Sequence, residues 1–72
     1  MRMTFDPDAN AAYFYIEDEI SPGAAIENVV VERASKGDIV LDFDANGYLL
    51  GVEIIGATGL LHGPVLSVAE RL

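Results

Sequence analysis

The segment Ile39–Ile55, "IVLDFDANGYLLGVEII", admits two readings that lead to different folds. Its centre fits the calcium-loop pattern D-x-[DN]-x-[DN]-G-x5-E, with Asp42, Asp44 and Asn46 as ligands, Gly47 at the sharp turn and Glu53 as the closing carboxylate. It is also two alternating apolar runs around Asn46-Gly47, a strong hairpin signal because both residues tolerate φ > 0. A calcium loop of this kind lies between helices, usually as one of a pair. Here the flanks alternate with period two, no second loop exists, and the ninth position is Leu50, which has no oxygen to offer. The hairpin reading therefore wins. Asn-Gly is present because the turn needs it, and Glu53 because a strand keeps one face polar.

A two-residue Asn-Gly loop pairs Phe43 with Leu50, Leu41 with Val52 and Ile39 with Ile54. One face is then apolar, and Asp42, Asp44 and Glu53 share the other. A type I turn with a glycine bulge would shift the pairing by one residue and set Glu53 among apolar side chains, which burial disfavours.

Working outward, "FDPDAN" (Phe5–Asn10) is another turn, opened by Asp6-Pro7. Met3–Phe5 and Ala12–Glu17 flank it as strands. In the longer one, Tyr13 and Tyr15 face one way and Phe14 and Ile16 the other, so this strand is expected to be central and covered on both sides. Ser21-Pro22-Gly23 breaks the chain. Ala25–Arg33, with three consecutive valines, is a third strand. Ile39–Asp44 and Tyr48–Ile55 are the fourth and fifth. "ATGLLHG" (Ala57–Gly63) reads as loop. "PVLSVAERL" (Pro64–Leu72) reads as a short helix opened by Pro64, or as an arm exchanged between subunits. The expected fold is one small mainly β (α+β) domain over residues 1–72: an antiparallel sheet of about five strands built from hairpins, with a C-terminal helix or arm.

Composition narrows the function. Twelve acids stand against four bases, for a formal net charge of −8. That argues against nucleic acid and anionic membranes and favours either plain solubility or docking on a basic protein partner. The chain is 51% apolar with a mean hydropathy of +0.32, although about 40% of the unfolded surface of so small a domain stays exposed after folding. A homodimer or small homo-oligomer would resolve the mismatch. A roomy ligand pocket is not expected at this size. There is no cysteine, no apolar stretch of membrane-spanning length and no signal-peptide pattern in "MRMTFDPDAN", so the expected location is the cytoplasm.

The chemistry-bearing residues are few. His62, the sole imidazole, has no motif around it that would hold a nucleophile or carboxylate against it. It is read as a loop or capping residue before the helix. Tyr13, Phe14 and Tyr15 could stack bases, but so acidic a chain points to packing instead. With no nucleophile–base pair, no phosphate loop and no cofactor motif, the chain is expected not to be an enzyme. Its acidic residues Glu17, Asp18, Glu19, Asp42, Asp44 and Glu53 are candidates for docking a basic partner. Asp42, Asp44 and Glu53 are also the candidate ligands of a loose divalent-cation site. A purely structural, self-assembling domain is the third reading.

Phe5-Asp6-Pro7, Asp8-Ala9 and Tyr13, followed by Asp42, Asp44, Gly47 and Gly51-Val52-Glu53-Ile54, resemble in order and spacing the small prokaryotic family called domain of unknown function 2283. The resemblance covers about residues 3 to 57. Asn10 stands where the family usually has a second acid, and Leu50 where it has a valine. The family has no established activity, so no catalytic residue is carried over. Some members are encoded beside small toxin-like proteins, and that association implies an antitoxin role.

Overall fold

The computed structural model describes all 72 residues. Five strands follow the alternating runs: β1 (Arg2–Asp6), β2 (Ala11–Tyr15), β3 (Glu27–Arg33), β4 (Gly37–Phe43) and β5 (Leu49–Ile55). Two short helices, α1 (Ala57–Leu60) and α2 (Gly63–Ser67), and a two-residue strand β6 (Glu70–Arg71) complete the chain. The sheet order is β3-β4-β5-β2-β1-β6, antiparallel except for the parallel β1–β6 pair. The mainly β, α+β architecture expected from the sequence is the one observed.

The β1–β2 turn rests on two side chains. The Asp6 carboxylate accepts the N–H groups of Asp8 at 3.0 Å and Ala9 at 3.3 Å, the self-bonding that makes Asp a turn former. Asn10 sits in the left-handed region (φ 51°). Its side chain accepts from the Thr58 N–H at 3.1 Å and donates to the Thr58 hydroxyl at 3.0 Å. Its carbonyl accepts from both Gly56 and Ala57. One residue therefore ties the first turn to the start of α1.

The β4–β5 hairpin corrects the expected turn. Of Asn46 and Gly47, only Gly47 has positive φ (83°), so the turn is not a two-residue type I′ loop. The Gly47 N–H donates to the Asp44 carbonyl and the Asp44 N–H to the Tyr48 carbonyl. The Asp44 carboxylate accepts from Asn46 and Tyr48, each at 2.9 Å. This is a type I turn with a glycine bulge, selected because Asp44 satisfies the turn's own donors. The resulting one-residue shift is reversed directly afterwards. Phe43 faces Leu49, not Leu50, and the ladder slips between Asp42 and Phe43. Leu50 is the extra residue, and its carbonyl accepts both Ile16 and Glu17 N–H groups at 3.0 Å. Beyond it, Leu41 pairs with Val52 and Ile39 with Ile54, so Glu53 remains on the polar face. Two irregularities cancel because face matching is worth more than a regular ladder.

The C-terminal helix stops at Ser67, and residues 70–71 leave it to pair with β1; the Leu72 N–H donates to the Phe5 carbonyl at 2.9 Å. A single turn or two of helix is weak by itself, and the open edge of β1 offers hydrogen bonds that an extended tail can take. Likewise α1 occupies part of the stretch read as loop. His62 is the residue before α2, exposed, its carbonyl accepting from Val65 and Leu66, in the capping place expected of it.

One sheet face is covered. Phe5, Ala12, Ala57 and Leu66 form the buried core, with Ile54, Leu61 and Ala69 packed against them. β2 is flanked by β1 and β5, but only its Ala12 side lies in this core. Tyr13 and Tyr15 point to the opposite face and are half-buried, so the expected cover on both sides is absent. The molecule is flat, 34 × 26 × 17 Å. Its accessible surface of 4786 Å² exceeds the roughly 4,300 Å² typical of a folded chain of this mass. Between helices and sheet an open apolar groove of about 610 Å³ runs past Met3, Phe14, Val52, Leu61, Val65 and Val68. This is more hollow than the chain length suggests. No helix is long and apolar enough to cross a membrane.

The Asn10 tie is testable. Asn10→Ala removes both Thr58 bonds and forces a Cβ residue with no local hydrogen bond into left-handed backbone, so urea denaturation should show a loss of about 2 kcal/mol. Asn10→Gly keeps the backbone freedom and should lose less.

Candidate functional site

The open sheet face is assembled by register. On β5, Gly51 and Glu53 lie opposite Tyr15 and Tyr13 of β2 on one side, and opposite Asp42 and Val40 of β4 on the other. Asn28 of β3 faces Asp42, and Arg2 and Thr4 of β1 face Tyr15 and Tyr13. Alternation then puts Arg2, Tyr13, Tyr15, Glu53, Asp42, Asp38 and Glu32 on the same surface.

Its centre is a reach across a strand. The Tyr13 hydroxyl donates to Asp42 Oδ2 at 2.8 Å, although β5 lies between their strands. The passage is Gly51: a Cβ there would overlap the Tyr13 ring. Glycine within a strand marks such close approach. The other Asp42 oxygen accepts from the Asn28 side-chain amide. On the far side the Tyr13 and Tyr15 rings meet at 4.7 Å and 58°, and the Arg2 guanidinium stacks 3.9 Å from the centre of the Tyr15 ring. A stripe Arg2–Tyr15–Tyr13–Asp42–Asn28 thus crosses every strand from β1 to β3. Burial first, then the Asp42 hydrogen bond and charge, with smaller effects of Tyr15 and Glu53, hold the Tyr13 phenol well above its ordinary value.

The structure separates the carboxylates that the sequence grouped. Asp42 and Glu53 share this face. Asp44 lies in the hairpin turn, where its carboxylate serves Asn46 and Tyr48. No three acids or histidines come together as a metal-holding group, because the bulged turn takes Asp44 out of the set. Glu17, Asp18 and Glu19 are exposed in the segment after β2. Asp18 forms an ion pair with the Met1 ammonium at 2.9 Å, whose hydrogen bond and charge hold the Asp18 carboxyl below its usual range.

Sequence reasoning missed Tyr13, Asn28 and Arg2 as members of this surface. Tyr13 and Gly51 were visible in the spaced motifs. What was missing was the β2–β5 register that sets one above the other.

Two outcomes follow. Gly51→Ala should displace the Tyr13 ring, destabilise the fold by about 2 kcal/mol or more and bring phenol ionisation to lower pH in a 295 nm titration. The folded-state value of Tyr13 is raised, so its contribution to stability is complete below the unfolded value near 10 and is lost as pH climbs toward the folded value. Tyr13→Phe should flatten that alkaline fall in urea midpoint. Separately, millimolar Ca²⁺ should leave the thermal midpoint where EDTA leaves it; a clear rise would restore the cation site.

The model of a family described as "Protein of unknown function (DUF2283)" matches residues 2–57. No curated protein and no solved structure matches the chain. The match spans most of the chain and contains Tyr13, Asp42, Gly51 and Glu53. The chain belongs to this family.

Proposed function

We propose that this member of the DUF2283 family is a non-catalytic docking domain whose open, tyrosine- and carboxylate-bearing sheet face receives a basic protein surface. The observation that carries the reading is the composition of that face. Asp38, Asp42, Glu53 and Glu32 are spread over three strands, and Arg2 is the one base among them, consistent with a net charge of −8. Arg2 itself illustrates the recognition: its guanidinium lies over the Tyr15 ring, a position from which an arginine can combine a ring contact with nearby carboxylates. A partner rich in arginine fits this surface better than one rich in lysine. A small toxin of the kind the family resemblance implies would be one such partner where it is basic. Glu17, Asp18 and Glu19 extend the acidic surface at the end of β2 and steer association more than they fix it.

The test is calorimetric titration with arginine-rich and lysine-rich peptides of equal charge, at low and high salt. The arginine peptide should bind more tightly. Asp42→Asn combined with Glu53→Gln should weaken it about tenfold, since each charged pair contributes at most about 1 kcal/mol at an exposed site. Asp8→Asn, off the face, should not. Equal weakening by both would reduce the interaction to net charge and remove the site.

A further inference from the structure

The two edges of the sheet are unlike. One ends in β6, two residues long and charged, which is a blunt edge. The other is β3, seven residues, exposed throughout, with Val29, Val30 and Val31 at 40%, 54% and 41%. A long exposed edge of β-branched residues is a template for another strand.

Hydrogen-bond direction shows which groups are free. The Phe43 carbonyl turns toward β3, accepting from Ile26, while the Asp44 N–H turns toward Tyr48 on the β5 side. Main-chain groups alternate along a strand, so Phe43, Leu41, Ile39 and Gly37 serve β3 through their partners Glu27, Val29, Val31 and Arg33. Asn28, Val30 and Glu32 therefore point their N–H and C=O groups outward.

We propose that this edge pairs antiparallel with β3 of a second copy, about a two-fold axis through Val30. Val30 then faces its own counterpart as a hydrogen-bonded pair, and Asn28 and Glu32 exchange main-chain bonds with the partner's Glu32 and Asn28. Val29 lies against Val31 of the partner subunit, and Glu27 against Arg33 of the partner subunit. The segment "ENVVVER" is complementary to itself in this register alone: each end places an acid opposite a base. That matters in a chain of net charge −8, where most face-to-face contacts between copies would bring acids together. Neither Glu27 nor Arg33 has an ion pair within its own chain. The paired molecule is one continuous sheet, and the apolar sides of the two copies meet at the valines. It does not depend on the docking reading, because it uses the edge and leaves the open face free.

Sedimentation across a concentration series tests it. The wild type should be a dimer that dissociates on dilution. Val30→Pro removes an outward N–H and leaves the β3–β4 ladder intact, so it should be monomeric with an unchanged far-ultraviolet spectrum. Glu27→Arg or Arg33→Glu alone should weaken the dimer about tenfold, since each change sets like charges opposite twice. The double variant E27R/R33E should recover most of the loss. If Val30→Pro fails to fold, the charge exchange decides by itself. A wild type that stays monomeric at all concentrations overturns the proposal. So does a dimer indifferent to all of these changes, which would place the contact on the apolar groove.

Discussion

Tyr13 crosses β5 above Gly51 to reach Asp42, and much of the sheet is arranged around that crossing. The bond joins residues 29 positions apart and bridges strands that do not touch in the ladder. It requires a glycine where a strand would ordinarily carry a side chain. It also requires β2 to lie beside β5 in the register that sets Tyr13 opposite Glu53. The Leu50 bulge supports that register: it receives the end of β2 through two N–H groups on one carbonyl and keeps Asp42 opposite Gly51. Once the ring lies over Gly51, Tyr15 and Arg2 stack in sequence beside it. A polar stripe of this kind rigidifies a face that has no second layer to pack against.

The covered face supplies little. Phe5, Ala12, Ala57 and Leu66 are the whole buried cluster under the helices, and two of these are alanines. Hydrophobic burial scales with apolar area removed from water, so this core is thin for a 72-residue chain. Ties such as Asn10–Thr58 and the β6–β1 pair therefore have a larger share in holding helices to sheet than they would in a bigger domain. The apolar surface left over divides between the groove beside α2 and the valine edge of β3. A surface of that kind on a small domain is where partners attach.

Much of the fold was legible because strand patterns are local. Alternation located all five long strands, Asp6-Pro7 and Asn46-Gly47 located the hairpins, and face matching placed Glu53 opposite the apolar side. The calcium-loop pattern was recognised as turn chemistry because its flanks had the wrong period. The turn type was misread: Asn46-Gly47 suggests type I′ by itself, but the Asp44 carboxylate captures the turn's donors and draws it to type I. The extent of the tail's helix was overread for a similar reason. Pro64 and the following residues do form a helix, yet its end competes with an unpaired strand edge that lies 66 residues earlier in the chain, by the Thr4–Glu70 pairing.

By itself the sequence determined the strands, their polar and apolar faces, the acidity and the family, since each depends on residues within a few positions of one another or on the sum of charges. Only the tertiary structure decided that β2 inserts between β1 and β5, that Tyr13 rests on Gly51, that Asp44 leaves the company of Asp42 and Glu53, and that β3 is the free edge. These are matters of which hydrogen-bonding edge meets which. Every strand presents the same N–H and C=O groups to its neighbours, so the choice is made by the joint packing of all strands and not by any local pattern.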